Sequence, residues 1–313
     1  MAIRASCLLL LALLSGLLSA SEGHQFAAGE LRRYVAETKQ EVRWRSAGDD
    51  LRFTTTLSFE LSCYVEAVDE KQATLIWRVL ELRATHQGPE GQHLLDSAQE
   101  IGEEDPLLGD LMVFHMVPLT TVVDLRSGEV QELRGHELLV ERLNRRHPAP
   151  QNTHPPPPAP PPHPPLYPPT VQNPTAAPPR AALAAQAFAP ERVQVLFTRW
   201  LSLPRDGKSS LSLGPQVEGA AQLRWEGSRF SIGLDKDAPK PRLQLATSPT
   251  PVSIAITALE GAGEVRLDRR GILQTTSGSY TMDLAVDAMT QGVEQQHRVT
   301  WQLVLMARTP ARE

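Results

Sequence analysis

Residues 51–67 read "LRFTTTLSFELSCYVEA". The odd positions are Leu51, Phe53, Thr55, Leu57, Phe59, Leu61, Cys63, Val65 and Ala67, and Arg52, Ser58, Glu60, Ser62 and Glu66 fall between them. Side chains of a strand alternate between its two faces, so this spacing predicts a half-buried antiparallel strand. At about 3.3 Å per residue it would run to roughly 55 Å. Strands of that length bend, so a bulge and a curved sheet are expected.

The neighbours follow the same grammar. "SAGDD" at 46–50 reads as the turn back to a strand carrying Tyr34, Ala36, Val42 and Trp44 on one face. "VDEKQ" at 68–72 leads forward to "ATLIWRVLELRA", where Ala73, Leu75, Trp77 and Val79 share a face. Leu80 and Leu82 then break that parity, which predicts a bulge. In the second half, alternation returns at Val252, Ile254, Ile256 and Ala258. It recurs at Tyr280, Met282, Leu284, Val286 and Ala288, and at Val299, Trp301, Leu303, Leu305 and Ala307. "VVDLRSGEV" from 122 and "VRLDRRGIL" from 265 repeat one phrase, an Asp and a Gly set between apolar runs. Asp124 with Gly128, and Asp268 with Gly271, are read as hairpin turn residues. The phrases fit a degenerate internal repeat or, more simply, two hairpins of one large sheet.

Helical spacing is scarce. Val193, Leu196, Phe197, Trp200 and Leu201 form one apolar stripe between Pro190 and Pro204. "GHELLVERLNRRH" predicts a second helix ending in basic residues, as suits a helix C-terminus. "EDPLLGDLM" predicts the start of a third, with Asp105 as cap and Pro106 at the first position. The fold class is therefore α+β and mainly antiparallel β: long curved sheets with two or three helices packed on them.

The 313 residues are 41% hydrophobic with a net charge of −5, so a large core is available and a nucleic-acid role has no electrostatic support. Arg4, the apolar run Cys7–Leu18 and the small residues Ser19, Ala20, Ser21 and Gly23 have the layout of a secretory signal peptide. It is assigned to 1–20, with cuts after Ser21 or Gly23 as alternatives. The run is short for a bilayer span, and no membrane span is expected once it is cleaved. The expected location is the periplasm or outside the cell. Of the two cysteines, Cys7 lies in the leader, so Cys63 has no internal disulfide partner. No N-glycosylation sequon occurs.

Residues 148–179 hold 16 of the chain's 27 prolines. Such a tract lacks backbone donors and core-forming side chains. It is expected to be a disordered polyproline II insert, about 100 Å long when extended. The predicted organisation is thus a leader at 1–20, a β-rich half at 26–147, a Pro/Ala-rich linker at 148–189 and a β-rich half at 190–313. The two halves can share one sheet or form two domains.

"FAAGELRRYVAETKQEV", with Phe26, Gly29, Glu30 and Tyr34, resembles the opening of a family of secreted bacterial envelope proteins of unknown function. "PLTTVVDLRSGEVQELRG" and "GAGEVRLDRRGILQTTSGSYTMDLAV" are similar to later segments of that family. The likeness covers most of the chain after the leader, and the proline tract stands outside it as an insertion. It implies an exported envelope protein and carries over no catalytic residue.

Local motifs for chemistry are few. Cys63 shares a face with Leu57, Phe59 and Leu61, which predicts a buried, inert thiol. His136, Glu137 and Glu141 lie on one predicted helix but lack the second His of the zinc-protease motif, and are read as helix-surface residues. His147, His154 and His163 punctuate the prolines without preorganised metal geometry. "PPLY" at 164–167 matches a WW-domain ligand, yet a spacer is the simpler use of so proline-rich a stretch. No catalytic, cofactor-binding or metal residue is assigned, and no cofactor is expected. The function read from the sequence is a non-enzymatic binding or structural role in the envelope. Its partner would be an apolar small molecule held in a curved sheet, as in lipoprotein carriers, or another envelope component. The alternative is a secreted enzyme whose site leaves no local motif.

Overall fold

A computed structural model describes residues 24–147, 193, 197, 201, 207–212, 217–218, 220–235, 238–245, 252–288 and 291–310. The leader, the proline tract with its WW-like motif, His154 and His163 lie outside the described residues, as do Leu196 and Trp200.

The strands are β1 (Leu31–Ser46), β2 (Asp49–Val68), β3 (Gln72–Gly88), β4 (Gly91–Asp96), β5 (Leu119–Asp124), β6 (Val130–Arg134) and β7 (Gly207–Ser212). They continue as β8 (Val217–Glu218), β9 (Ala220–Glu226), β10 (Arg229–Leu234), β11 (Arg242–Leu245), β12 (Val252–Leu267), β13 (Leu273–Ala288) and β14 (Gln291–Thr309). All fourteen belong to one antiparallel sheet. Its main path is β6-β5-β3-β2-β1-β14-β13-β12-β10-β9-β7, with β4, β8 and β11 branching off it. The two β-rich halves thus join edge to edge, through fifteen residues of β1 paired along β14 from Leu31↔Thr309 to Arg45↔Glu294.

β2 has the parity read from its sequence as far as Val65, but Ala67 is exposed, because a bulge between Val65 and Ala67 shifts the register there. Phe53, Thr55, Leu61, Cys63 and Val65 are buried, Ser62 is half-buried and Glu66 is exposed. The turn to β1 is Ala47–Gly48, and Gly48 has φ 122°, a region that favours glycine. The bulge expected in β3 is present. Glu60 pairs with Glu81 and Leu61 with Val79, so Leu80 is skipped and both Val79 and Leu82 remain buried. β12 corrects one assignment. Ile256 pairs with Leu284 and Ala258 with Asp283, so the chain bulges at Thr257. Ala258 is therefore exposed and Leu259 takes the buried place, a parity change that simple alternation cannot show.

Both repeated phrases are hairpin turns. Asp124 Oδ1 accepts from the amides of Arg126 (3.0 Å) and Ser127 (2.7 Å), and Gly128 has φ 68°. Asp268 Oδ1 accepts from Arg270 (2.7 Å) and Ile272 (3.0 Å), and Gly271 has φ 73°. Their positions in the sheet differ. β5–β6 is at an edge, whereas β12–β13 is interior, so the likeness is one of turn chemistry.

Helix α1 (His136–Arg146) buries Leu139 and Leu143 and has Arg145 and Arg146 in its last turn. The third predicted helix is a 3-10 segment at Gly109–Phe114. Asp105 Oδ1 caps the turn before it, accepting from the amides of Leu107 and Leu108 at 2.8 Å each. Val193, Phe197 and Leu201 are helical and buried. Phe197 packs on Trp77 with ring centroids 5.2 Å apart, and Trp77 Nε1 donates to Thr121 Oγ1 at 3.0 Å. One hydrophobic cluster runs through both halves, from Tyr34, Leu61 and Trp77 to Trp225, Phe230 and Trp301. Among the described residues no helix is long and apolar enough to cross a membrane.

The sheet is strongly rolled. His24 N donates to Leu125 O in the first hairpin turn (2.7 Å), and Gln25 N donates to Gly271 O in the second (3.4 Å). From β5 to β12 the main path takes six steps. Six strand spacings would be about 29 Å on a flat sheet. Two consecutive residues reach both turns, so the sheet curls until they nearly meet.

Candidate functional site

The inner face of the rolled sheet has three parts. Its centre is formed by Leu57 and Phe59 of β2. They share the parity of buried Phe53 and Leu61, and β1 and β2 pair without a break from Leu31↔Tyr64 to Ser46↔Asp49. Even so, both are only half-buried, as is Thr38, directly opposite Leu57 on β1. Beside them the row Thr38–Trp301–Gly278–Gly263–Phe230–Trp225 crosses from β1 to β9. A Cβ on Gly278 would meet Trp301 Cζ2 at 2.8 Å, and one on Gly263 would overlap the Phe230 ring. The missing side chains let both rings settle close to the backbone, where they stack at 15° to one another.

The second part is a polar row one step along the strands. His93, His86, Thr55 and Gln40 are successive cross-strand partners on β4, β3, β2 and β1. Thr55 Oγ1 lies 2.9 Å from His86 Nδ1, and His93 Nδ1 lies 2.7 Å from Asp105 Oδ2. Gln40 Nε2 donates to His297 Nδ1 at 3.0 Å, and His297 Nε2 then donates to Gln295 Oε1 at 3.1 Å. Burial holds His297 well below its ordinary pKa, at about 4. Burial also lowers His86, and nearby His93 adds to the effect. Each of these groups already has a protein partner, which makes the row a self-satisfied network.

The third part closes one end of the roll. Glu30 and Arg32 are both fully buried, with Arg32 Nε on Glu30 Oε1 at 2.9 Å and Nη2 on Oε2 at 3.1 Å. Arg308 reaches Glu30 Oε1 from β14, and Arg32 Nη2 also donates to Gln25 O. The Arg32 guanidinium lies 4.4 Å from the centre of the Phe26 ring. Burial opposes charge on Glu30, but the bonds from Arg32 and Arg308 outweigh it and hold the carboxyl below its usual range. The His24 ring bonds Leu201 O, and burial lowers its pKa to about 4.

The residues singled out from sequence are not brought together. Cys63 is fully buried, and burial pushes its thiol up to about 12. We expect a thiol reagent to label it slowly in the native protein and rapidly after denaturation. Cys63→Ser should cost about 1–3 kcal/mol for a hydroxyl in an apolar site, and fast native labelling would reverse this assignment. His136 has Glu137 at 3.4 Å, while Glu141 pairs with Arg145 on the exposed side of α1. His147 binds Asp110 at 2.6 Å. Among the described residues no three His, Cys, Asp or Glu side chains converge as metal ligands would. The burial of the polar residues His24, Glu30, Arg32, Gln40, His86 and His297 escaped the sequence reading, which named only Glu30 among them and gave it no role. The signal for most of them was there: Arg32, Gln40, His86 and His297 stand at apolar-parity positions of long strands.

No protein-family model and no curated protein match the chain. Among solved structures it is similar to lipovitellin ("Lipid-protein interactions in lipovitellin") at 12% identity and a TM-score of 0.43, over 92% of this chain and 26% of that one. It thus spans about a quarter of that relative. The crystal structure of Pseudomonas aeruginosa OpdQ gives 6% identity and a TM-score of 0.16, over 89% of this chain and 98% of that one. The Pseudomonas aeruginosa MucA/MucB complex gives 7% and 0.09, over 89% and 94%. At these scores the likenesses extend to neither ligand nor activity.

Proposed function

We propose that the protein is a non-catalytic binding protein for an apolar small molecule, exported to the cell envelope. The observation that carries the ligand reading is the incomplete burial of Leu57 and Phe59. They lie at the middle of the longest strand, on the face that is sealed at Phe53 and Thr55 on one side and at Leu61, Cys63 and Val65 on the other. Ligand sites are lined mostly by apolar side chains, and half-buried apolar residues at the centre of a core face are of the kind that can supply such a lining. The reading of export rests on the leader-like sequence of residues 1–20. The polar row beside the opening sets one boundary for the ligand, because its groups bond one another.

A dansyl-labelled fatty acid tests the reading. Saturable binding to the intact chain is expected, with fluorescence rising and shifting to the blue. Phe59→Asp and Leu57→Gln should each weaken binding about tenfold or more, since one buried apolar side chain contributes about 1.5–3 kcal/mol. Far-ultraviolet circular dichroism should stay that of the parent. Unchanged affinity in both variants would remove the centre of the sheet from the site.

A further inference from the structure

We infer that residues His24–Glu30 are a clasp across the seam of the rolled sheet, which opens in acid and gives an apolar ligand its way to the inner face. The ligand passage rests on the binding reading above, whereas the clasp rests on geometry alone. His24 N and Gln25 N bond the two hairpin turns, at Leu125 O and Gly271 O, and so join parts of the sheet six strands apart. The His24 ring adds a third attachment at Leu201 O, and a Cβ on Gly128 would sit 3.0 Å from His24 Nε2. At its other end the segment is fixed firmly. Gly29 N donates to Val65 O at 2.8 Å, and Glu30 is held between Arg32 and Arg308. One end is therefore anchored by a buried ion cluster, while the other depends on two backbone bonds and one histidine.

The surroundings of that histidine make its charge unwelcome. Its Nδ1 is buried without a hydrogen-bond partner, the Phe26 ring lies 5.3 Å away at a tilt of 39°, and the charge acting on it is that of Arg32, with the same sign. The hairpin turns that it joins carry Asp124 and Arg126 on one side and Asp268, Arg269 and Arg270 on the other. Asp124 and Asp268 accept their own turn amides. Glu30 faces Arg32 and Arg308. Released to solvent, the ring would regain an ordinary pKa near 6.5, so protons favour the open state. With a closed value of about 4, the open state gains about twentyfold at pH 5 relative to pH 7.

Hydrogen exchange of the full chain tests this directly. Protection factors of the His24 and Gln25 amides should fall about twentyfold from pH 7 to pH 5 and stay well below those of core amides such as Leu61 and Leu75 at both pH values, because the clasp opens without global unfolding. His24→Gln keeps a side-chain donor for Leu201 O but cannot titrate, and should abolish the fall. His297→Gln should leave it in place. Clasp amides protected as strongly as the core amides at both pH values, or an acid response that survives in His24→Gln, would overturn the clasp. Release of the dansyl-labelled fatty acid should quicken at pH 5 in the parent and not in His24→Gln. If the clasp amides respond but release does not, the passage is overturned and the clasp stands. Absence of any probe binding at pH 7 counts against the binding reading, and the exchange experiment still decides the clasp.

Discussion

Replacing Glu30 with alanine is expected to cost about 3–5 kcal/mol, the range for removing one partner of a buried ion pair. Glu30 and Arg32 both have side chains wholly withdrawn from solvent. A guanidinium cannot shed its proton to escape burial, so Arg32 would remain charged without its carboxylate. Arg308 would lose the same acceptor. The loss would spread, because Arg32 also holds Gln25 O and covers the Phe26 ring. Urea titration at pH 7 measures it. The control is Arg33→Ala, which breaks the Arg33–Glu60 pair, exposed at 55% and 32%. That change should stay within about 1 kcal/mol. The double variant Glu30→Leu with Arg32→Met should lose less than Glu30→Ala, since it removes the stranded charge along with its partner. A cost below about 1 kcal/mol for Glu30→Ala would mean that water reaches Arg32.

The strands were legible because their cause is local. Period-two alternation from Leu51 to Ala67 gave the strand and, as far as Val65, its buried face, and the Asp–Gly phrases gave the hairpins. The broken parity at Leu80 gave a bulge, whereas the one at Thr257 was hidden because Ala258 is apolar enough to fit either face. Asp105 caps a turn through the amides of Leu107 and Leu108, but no helix starts at Pro106: the 3-10 segment begins at Gly109, with Leu108 before it and no side-chain cap. Caps mark where a turn begins and do not fix how tightly it winds. The roll of the sheet was not legible. It depends on Leu125 and Gly271 meeting residues 24 and 25, contacts remote in sequence with no local pattern. The candidate site was missed for the same reason. Half-burial of Leu57 and Phe59 is a property of what stands opposite them, and the alternation that placed them on the inner face marks them as core.

Stability is expected to fall by several kcal/mol as pH drops from about 6.5 to about 4, with two buried histidines as the cause. His24 and His297 are each held at about 4 by burial. In the unfolded chain both would titrate near 6.5. Between those values the unfolded state binds the extra protons, so the contribution of each is complete above about 6.5 and is lost as pH falls toward 4. At full extent that is about 3 kcal/mol per histidine, a large part of a typical domain's margin. Glu30 acts lower on the scale. Its folded pKa lies below the ordinary carboxylate value, so its contribution is present above about 4.5 and disappears only on further acidification. The histidine step and the carboxylate step are therefore separable. His297 can be isolated, because its neighbours are polar and neutral on both ring nitrogens: Gln40 donates to Nδ1 and Gln295 accepts from Nε2. Asp283 is the one charge acting on it, and it opposes the downward shift. Urea midpoints measured at pH 7.5, 6, 5 and 4.5 should decline steadily in the parent. In His297→Gln the decline should be clearly shallower, and in a variant that also carries His24→Gln only the smaller contribution of His86 should remain over this range. A parent curve that is flat from pH 7.5 to 4.5 would mean that both rings titrate normally in the folded protein, and hence that solvent reaches the polar row and the clasp alike.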